Sequence, residues 1–297
     1  MPHESHCVDW RKKMRRKKLD WFTIALLVVG ILMVVCSVGM CIHLVSSQVE
    51  TNNELNLIVK ASDAKAGSWP SAKQESVLDA AYEYNKKLDV RASDFDNSRA
   101  AINADADYLN ALDTGNGVMA SVYIPSISAR VPVYHGTDDE TLLNGAGHMR
   151  GTDLPTGEKG TVSVIAGHSG AVEGMFFTRV PSLKTGDLFY VTVLGKEFPY
   201  RITDLITVNP DDTDAIRKLY ESDKAKVVLL TCTPISVNTH RLLVVGEPAP
   251  DAPNSAHAPG DPVWPVGVII TVLCIVVFIV LIVVIRMFWR KRKMCAC

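Results

Sequence analysis

The sequence predicts a mainly β domain, either a closed barrel or a sandwich, that follows helices and is flanked by two transmembrane helices. Two long apolar runs near the chain ends predict the transmembrane helices. About seven or eight short β-rich runs after residue 117, separated by turn residues, predict the β domain. The chain has 297 residues and 47% apolar content, which is enough for one sizeable core besides the spans.

The two apolar runs have the length and the flanking charges of membrane spans. Residues 21–45 and 263–285 contain no Asp, Glu, Lys or Arg, and each exceeds the ~20 residues that a helix needs to cross the hydrocarbon layer. Basic clusters occupy 1–20 and 286–297, and positive residues stay on the cytoplasmic side. We therefore expect a multi-pass protein of the cell membrane, with both termini cytoplasmic and 46–262 on the extracytoplasmic face. The first run is too long for a signal peptide and is followed by no A-x-A site, which favours an uncleaved anchor.

The charge distribution and the cysteine positions limit the classes of function that this protein can have. The segment between the basic ends is net acidic, which argues against a nucleic-acid partner. With the expected topology, Cys232 is the one cysteine outside the membrane, so it has no disulfide partner on its own side. Composition alone leaves it either an inert buried thiol or a reactive one.

The extracytoplasmic segment divides into a helical part, a β domain and a spacer. Val77, Ala81, Tyr84 and Leu88 form an apolar stripe that predicts one helix, and Ser98 is the predicted N-cap of a second. We expect helices and their connection over 46–112, the β domain over 113–247 and a Pro/Ala-rich spacer over 248–262. The strand candidates lie at 118–127, 129–137, 160–168, 186–195, 198–208, 226–232 and 240–247, with a short helix at 211–222.

The run at 226–232 indicates the position of a candidate catalytic site. It is almost wholly apolar, which predicts a buried strand with Cys232 at its end. An antiparallel return through 240–247 would bring Arg241 near the thiol. A guanidinium there favours the thiolate and can stabilise an oxyanion when a carbonyl is attacked.

Cysteine catalysis also needs an acid or base, and four histidines are candidates from spacing: His135, His148, His168 and His240. His168 ends an apolar run between glycines, which allows close approach of a substrate. His240 is its main rival because it adjoins Arg241. Neighbours in a strand point to opposite faces, however, so His240 and Arg241 cannot both face Cys232.

Several segments together resemble the sortases. LLTCTP at 229–234 and NTHRLLV at 238–244 resemble the T-L-x-T-C … R signature of that family. AGHSG at 166–170 is similar to its catalytic-histidine segment, and VPVYHGT at 131–137 to one of its strands and turns. The helical YNKKL at 84–88 and the second apolar run resemble class C, the pilus-building branch. The resemblance covers roughly residues 80–247.

This resemblance implies an eight-stranded β-barrel with Cys232 as nucleophile, His168 as acid/base and Arg241 as the group that binds substrate or stabilises the oxyanion. The implied substrates are pilins or surface proteins with a C-terminal LPxTG-type sorting signal, cleaved between Thr and Gly. In the pilus-building branch a pilin lysine amine then resolves the acyl-enzyme. No cofactor and no metal are implied.

Three positions depart from the family pattern. Val228 stands where the first Thr of the signature is usual, and Ser169 where class C often has Arg. Class C also carries an inhibitory lid with an Asp-Pro-aromatic tip. The nearest match is Asp94-Phe95 in a candidate lid at 89–98, where the missing Pro removes a fixed φ and predicts easier opening.

Other functions stay open on the sequence alone. A sortase that attaches surface proteins to peptidoglycan would share every motif above. A non-catalytic, membrane-tethered binding domain would keep the barrel but have a slow thiol. Zinc binding is disfavoured, because no C-x-x-C or H-x-x-x-H spacing occurs between the two apolar runs.

Overall fold

A computed structural model describes residues 21–90, 93, 95–170 and 176–255, together with four separate positions between 272 and 282. The chain divides into two compact units, one of residues 49–263 and the other of residues 1–48 with 264–297. Cys232, His168, Arg241 and Phe95 all belong to the first unit, and Asp94 lies outside the described residues.

The first helix, α1, runs from Trp21 to Gly67 and is longer than expected. The sequence predicted an apolar span over 21–45 and a separate helical segment after it. The structure joins them because no Gly or Pro interrupts the chain between Gly39 and Gly67. The helix ends at Gly67, three residues before Pro70, where continued helix is disfavoured.

Membrane crossing is not supported by the helices that the structure describes, since none of them combines sufficient length with a sufficiently apolar composition. The predicted span over 21–45 therefore remains without structural support. The predicted span over 263–285 and the basic tails at 1–20 and 286–297 lie outside the described residues, apart from the four separate positions.

Three more helices precede the β domain: α2 at Ser71–Lys87, α3 at Arg99–Ala104 and α4 at Ala106–Asn110. Ser98 caps α3 as predicted, because its Oγ accepts the Ala101 N–H. The second predicted helix is broken in two, since the Asp105 carboxylate accepts the Tyr108 N–H and starts α4 as a new helix.

Eight strands then close into a mixed barrel in the order β1-β2-β3-β4-β7-β8-β6-β5. Closure occurs where β1 pairs with β5, and this confirms the barrel rather than the sandwich. The strand β3 has three residues, too few to be recognised in the sequence. The elements are β1 Val118–Ile124, β2 Ala129–His135, α5 Asp139–Asn144, β3 Ala146–His148, β4 Val162–Ala166, β5 Leu188–Val193, β6 Lys196–Val208, α6 Asp214–Lys218, β7 Lys226–Thr233 and β8 His240–Pro248.

The strand β7 is buried on both faces, which explains its apolar sequence. Val227 and Leu229 belong to the main core of the barrel. Val228 and Leu230 belong to a second apolar cluster, on the other face of the strand, which includes Ile216 of α6. Val228, at the position where a family hydroxyl is usual, is fully buried among these apolar side chains.

Candidate active site

Cys232 and Arg241 lie directly opposite each other on antiparallel strands. The register of β7 and β8 pairs Cys232 with Arg241 and, two residues deeper, Leu230 with Leu243. Side chains at opposed positions of an antiparallel pair point to the same face, with Cβ atoms roughly 4.5–5.5 Å apart. The thiol and the guanidinium therefore share one face of the barrel wall, at its rim, and both residues are partly exposed.

That shared face is the one covered by the second apolar cluster. Strand residues alternate between faces, so Cys232 continues the series of Val228 and Leu230, while Arg241 continues that of Leu243 and Val245. Cys232 and Arg241 thus lie outside the barrel core, at the open end of an apolar layer.

His168 follows the end of β4, which is the parallel neighbour of β7. The Gly167 N–H donates to the Leu230 carbonyl at 3.0 Å, and the Thr231 hydroxyl donates to the Gly167 carbonyl at 2.8 Å. On the far side of His168, the Ser169 hydroxyl donates to the Cys232 carbonyl at 2.7 Å. His168 is therefore held between two residues that bind the end of β7.

Ala166, the last residue of β4, pairs with Leu230, whose side chain belongs to the face that carries Cys232. His168 lies two residues beyond the end of the strand, where the bonds of Gly167 and Ser169 hold its backbone beside the end of β7. Its carbonyl accepts the Phe177 N–H at 3.0 Å, which fixes the backbone there, and its ring is partly exposed.

Two of the four candidate histidines have structural roles instead. His148 is fully buried, where its Nε2 lies 2.8 Å from the Asp153 carbonyl and the Tyr108 hydroxyl donates to its backbone carbonyl. His135 is buried, and its Nε2 lies 2.8 Å from the Ala111 carbonyl. His240, in contrast, is exposed and follows the opposite alternation to Arg241. His168 is held next to the end of β7 through the bonds of its neighbours Gly167 and Ser169.

The buried histidines predict an acid-sensitive fold. Burial lowers the pKa of His148 to about 4, and it lowers the pKa of His135 in the same direction. The unfolded chain binds a proton on His148 below its ordinary pKa of about 6.5, while the folded chain does not. The free energy of unfolding is therefore expected to fall between pH 6.5 and pH 4, by up to about 3 kcal/mol from His148.

Denaturant unfolding of the chain over that pH range measures this loss. His240→Gln, which removes an exposed histidine, should leave the pH dependence intact. His148→Gln should flatten it. An unchanged slope in His148→Gln would mean that another group causes the acid sensitivity.

Phe95 packs on the apolar surface beside Arg241. Its side chain packs on the second apolar cluster and borders a cavity of about 210 Å³, whose walls also include Arg241, Leu230 and Leu243. The candidate lid at 89–98 therefore reaches the predicted site through its aromatic residue. Asp94, the other predicted lid residue, lies outside the described residues.

The segment after Phe95 is fastened to the barrel by Asn97. The Asn97 side chain donates to the carbonyls of Phe95 and Arg150, at 3.0 and 3.2 Å, and accepts the Arg150 N–H at 2.8 Å. Arg150 in turn pairs with Asp105 at 3.1 Å. These contacts could not be predicted from the sequence, because Asn97 and Arg150 carry no motif and are 53 residues apart.

The Ser169 hydroxyl predicts a specific kinetic defect. Ser169→Ala leaves the Cys232 carbonyl without this donor and loosens the position of His168 relative to the thiol. We expect kcat to fall by roughly tenfold, since small misplacements of reacting groups are costly, with little change in KM. Ser169→Thr keeps the hydroxyl and should retain most activity. A Thr variant as impaired as the Ala variant would contradict this role.

Comparisons with known proteins agree with this geometry. The family model for the sortase domain matches residues 122–249. Sortase A of Bacillus anthracis is 29% identical over 142 residues, which are 48% of this chain and 65% of that protein. The curated relatives are matched over only 50% to 65% of their own length.

Solved structures are matched over nearly their full length. Sortase C-1 of Actinomyces oris is 39% identical with a TM-score of 0.52, and the match covers 59% of this chain and 98% of that one. Sortase C of Streptococcus pneumoniae, whose structure was described in relation to catalysis and pilin substrate specificity, is 32% identical with a TM-score of 0.57. That match covers 66% of this chain and 99% of the other.

The closed mixed barrel and the family match over residues 122–249 together define the class of this domain. The chain belongs to the sortase family of cysteine transpeptidases. Its structural neighbours include class C sortases from Actinomyces oris, Streptococcus pneumoniae and Streptococcus agalactiae.

Proposed function

We propose that this chain is a class C sortase that joins a pilin carrying an LPxTG-type sorting signal to a lysine amine of another pilin. The pairing of Cys232 with Arg241, beside the backbone-held His168, is the observation that carries the proposal. The class C neighbours, one of them described in relation to pilin substrate specificity, support the choice of substrate.

Each of the three residues has one task in the proposed reaction. The Cys232 thiolate attacks the carbonyl carbon of the threonine, the bond to glycine breaks, and His168 gives a proton to the departing glycine amine. Arg241 binds the oxyanion of the tetrahedral intermediate. The lysine amine then attacks the thioester and gives a proton back to His168, the bond to sulfur breaks, and an isopeptide forms while Cys232 leaves as the thiolate.

A trapped intermediate tests this function. The full-length chain is mixed with a sorting-signal peptide, and the mass of the tryptic peptide 227–241 is measured. An added acyl group on Cys232 is the expected result. Its absence, with a thiol that reacts slowly with alkylating agents, would favour the non-catalytic binding domain.

The acceptor is tested separately, because a pilin-polymerising and a cell-wall-anchoring sortase differ only in the amine used. A lysine-containing pilin fragment and a peptidoglycan-derived amine are offered to the acyl-enzyme in competition. We expect the lysine product to dominate. Predominance of the peptidoglycan product would assign the chain to surface-protein anchoring.

We also propose that the barrel lies on the extracytoplasmic face, with both termini cytoplasmic. The proposal rests on the sequence, namely the two uncharged apolar runs with basic residues beyond each. A thiol reagent that does not cross membranes should label Cys232 in intact cells, but Cys295 only after permeabilisation. Labelling of Cys295 in intact cells would contradict this topology.

We further propose that residues 89–98 form a lid over the site, with Phe95 as its apolar anchor and Asp94 directed at Cys232 or Arg241. The cavity shared by Phe95 and Arg241 supports it. Phe95→Ala, alone or with Asp94→Ala, should increase the alkylation rate of Cys232 by roughly tenfold, because the contacts of this partly buried ring contribute on the order of 1 kcal/mol. Unchanged alkylation rates in these variants would exclude the lid. The control is Leu143→Ala, which changes an exposed apolar residue of α5 and should leave the rate unchanged.

A further inference from the structure

Arg217 of α6 connects the helix to the candidate lid. Its Nη2 donates to the Ser93 carbonyl at 2.9 Å, and its guanidinium carbon lies 5.0 Å from the centre of the Phe95 ring. One side chain thus contacts the lid twice, on its backbone and on its aromatic anchor. These contacts could not be predicted from the sequence, since Arg217 stands in a short helix without a motif.

The guanidinium is already oriented by its own helix. Its Nη1 donates to the Thr213 hydroxyl at 2.9 Å and to the Asp214 carboxylate at 2.8 Å. These bonds hold one arm of the planar fork, so the other arm points at the Ser93 carbonyl without further loss of rotamer freedom. Ile216, beside Arg217, is buried in the second apolar cluster and fixes α6 on the barrel.

Phe95 is held in a conformation that its own backbone does not favour. Its φ is +51°, in the left-handed region that residues with a Cβ avoid. Contacts of the side chain must therefore offset the backbone strain. Those contacts are the apolar cluster beneath the ring and the Arg217 guanidinium near its face, a favourable cation–π arrangement.

We infer that Arg217 is a positioning residue that latches the lid shut and so sets how readily Cys232 and Arg241 become accessible. This inference rests on the proposed lid and deepens it. The latch acts from α6, which lies between β6 and β7 in the chain, and it acts through Ser93 and Phe95. A change that moves the Arg217 guanidinium away from Ser93 and Phe95 would release the lid.

The test follows the alkylation of Cys232 in the full-length chain, read from the tryptic peptide 227–241 by mass spectrometry. Arg217→Ala should speed alkylation on the order of tenfold, through loss of a charged hydrogen bond and a cation–π contact. Arg217→Lys keeps the charge but not the fork, and should fall between. Arg201→Ala, which removes an arginine paired with Asp251 instead, is the matched control and should change nothing.

A double variant separates latching from general loosening of α6. If Arg217 acts through Phe95, adding Arg217→Ala to Phe95→Ala should increase the rate little beyond Phe95→Ala alone. Phe95→Leu, which keeps apolar bulk without a ring face, should show a smaller response to Arg217→Ala. Additive effects, or an unchanged rate in a folded Arg217→Ala variant, would overturn the latch.

The outcomes of these experiments also distinguish the latch, the lid and the transpeptidase function from one another. A fast Phe95→Ala variant beside an unchanged Arg217→Ala variant would leave the lid in place and remove only the latch. Unchanged rates in both would remove the lid as well. Acyl-enzyme formation on Cys232 in all of these variants would show that the transpeptidase proposal stands regardless.

Discussion

Replacement of Cys232 by alanine is expected to lower the turnover of a sorting-signal peptide by about 10⁶-fold, the scale seen when the nucleophile of a cooperating catalytic set is removed. The reason is chemical, because no thioester can form without the sulfur. Arg241 and His168 then have no intermediate to act on. Turnover is measured as release of the glycine-containing fragment, together with formation of the isopeptide product.

The matched control is Cys36→Ala, which removes an exposed cysteine of α1 and should leave turnover unchanged. The free energy of unfolding of Cys232→Ala should change little, since the residue is only partly buried. A Cys232→Ala variant that still turns over substrate would end the proposed mechanism.

Arg241→Lys is expected to cause the second largest loss of activity, on the order of 10²- to 10³-fold in kcat. Removal of one hydrogen-bond donor to the oxyanion has an effect of this size in other enzymes. Lysine keeps the charge but lacks the planar fork that binds two oxygens at once. The recorded hydrogen bonds of the guanidinium are two long ones of 3.3 Å, to the carbonyls of Asn238 and His240. In the described residues no ion pair involves it, so its charge is available to a substrate.

Arg130→Lys provides the comparison for this variant. Arg130 lies over the Tyr123 ring, and the same exchange there should leave kcat within about twofold, because this partly exposed contact takes no part in the proposed reaction. If Arg241→Lys also stayed within that range, the proposed oxyanion role would be wrong. Arg241 would then be a residue that only shapes the face beside Cys232.

The Cys232–Arg241 pair could be predicted from the sequence because the relevant information is local. An apolar strand, a polar turn and a second strand lie in one short stretch, so an antiparallel return sets their pairing. The short β3 could not be recognised, since three residues carry no periodicity. Barrel closure was left open against a sandwich, because pairing of β1 with β5 joins residues about seventy positions apart.

The position of His168 depended on the family resemblance, because spacing left four histidines open. The parallel pairing of β4 with β7 brings the His168 backbone next to the end of β7, and parallel pairing has no local sequence signature. Arg217 was missed for the same physical reason. Its contact with Ser93 spans 124 residues and depends on how α6 packs on the barrel.

The central place of β7 in the wall has a consequence for synthesis. The strand that carries Cys232 pairs with β4 on one side and with β8, the last strand of the barrel, on the other. While the polypeptide is still being made, Cys232 therefore has neither Arg241 opposite it nor a closed wall around it. The arrangement on which the proposed reaction depends is complete only after residues up to about 248 have been synthesised.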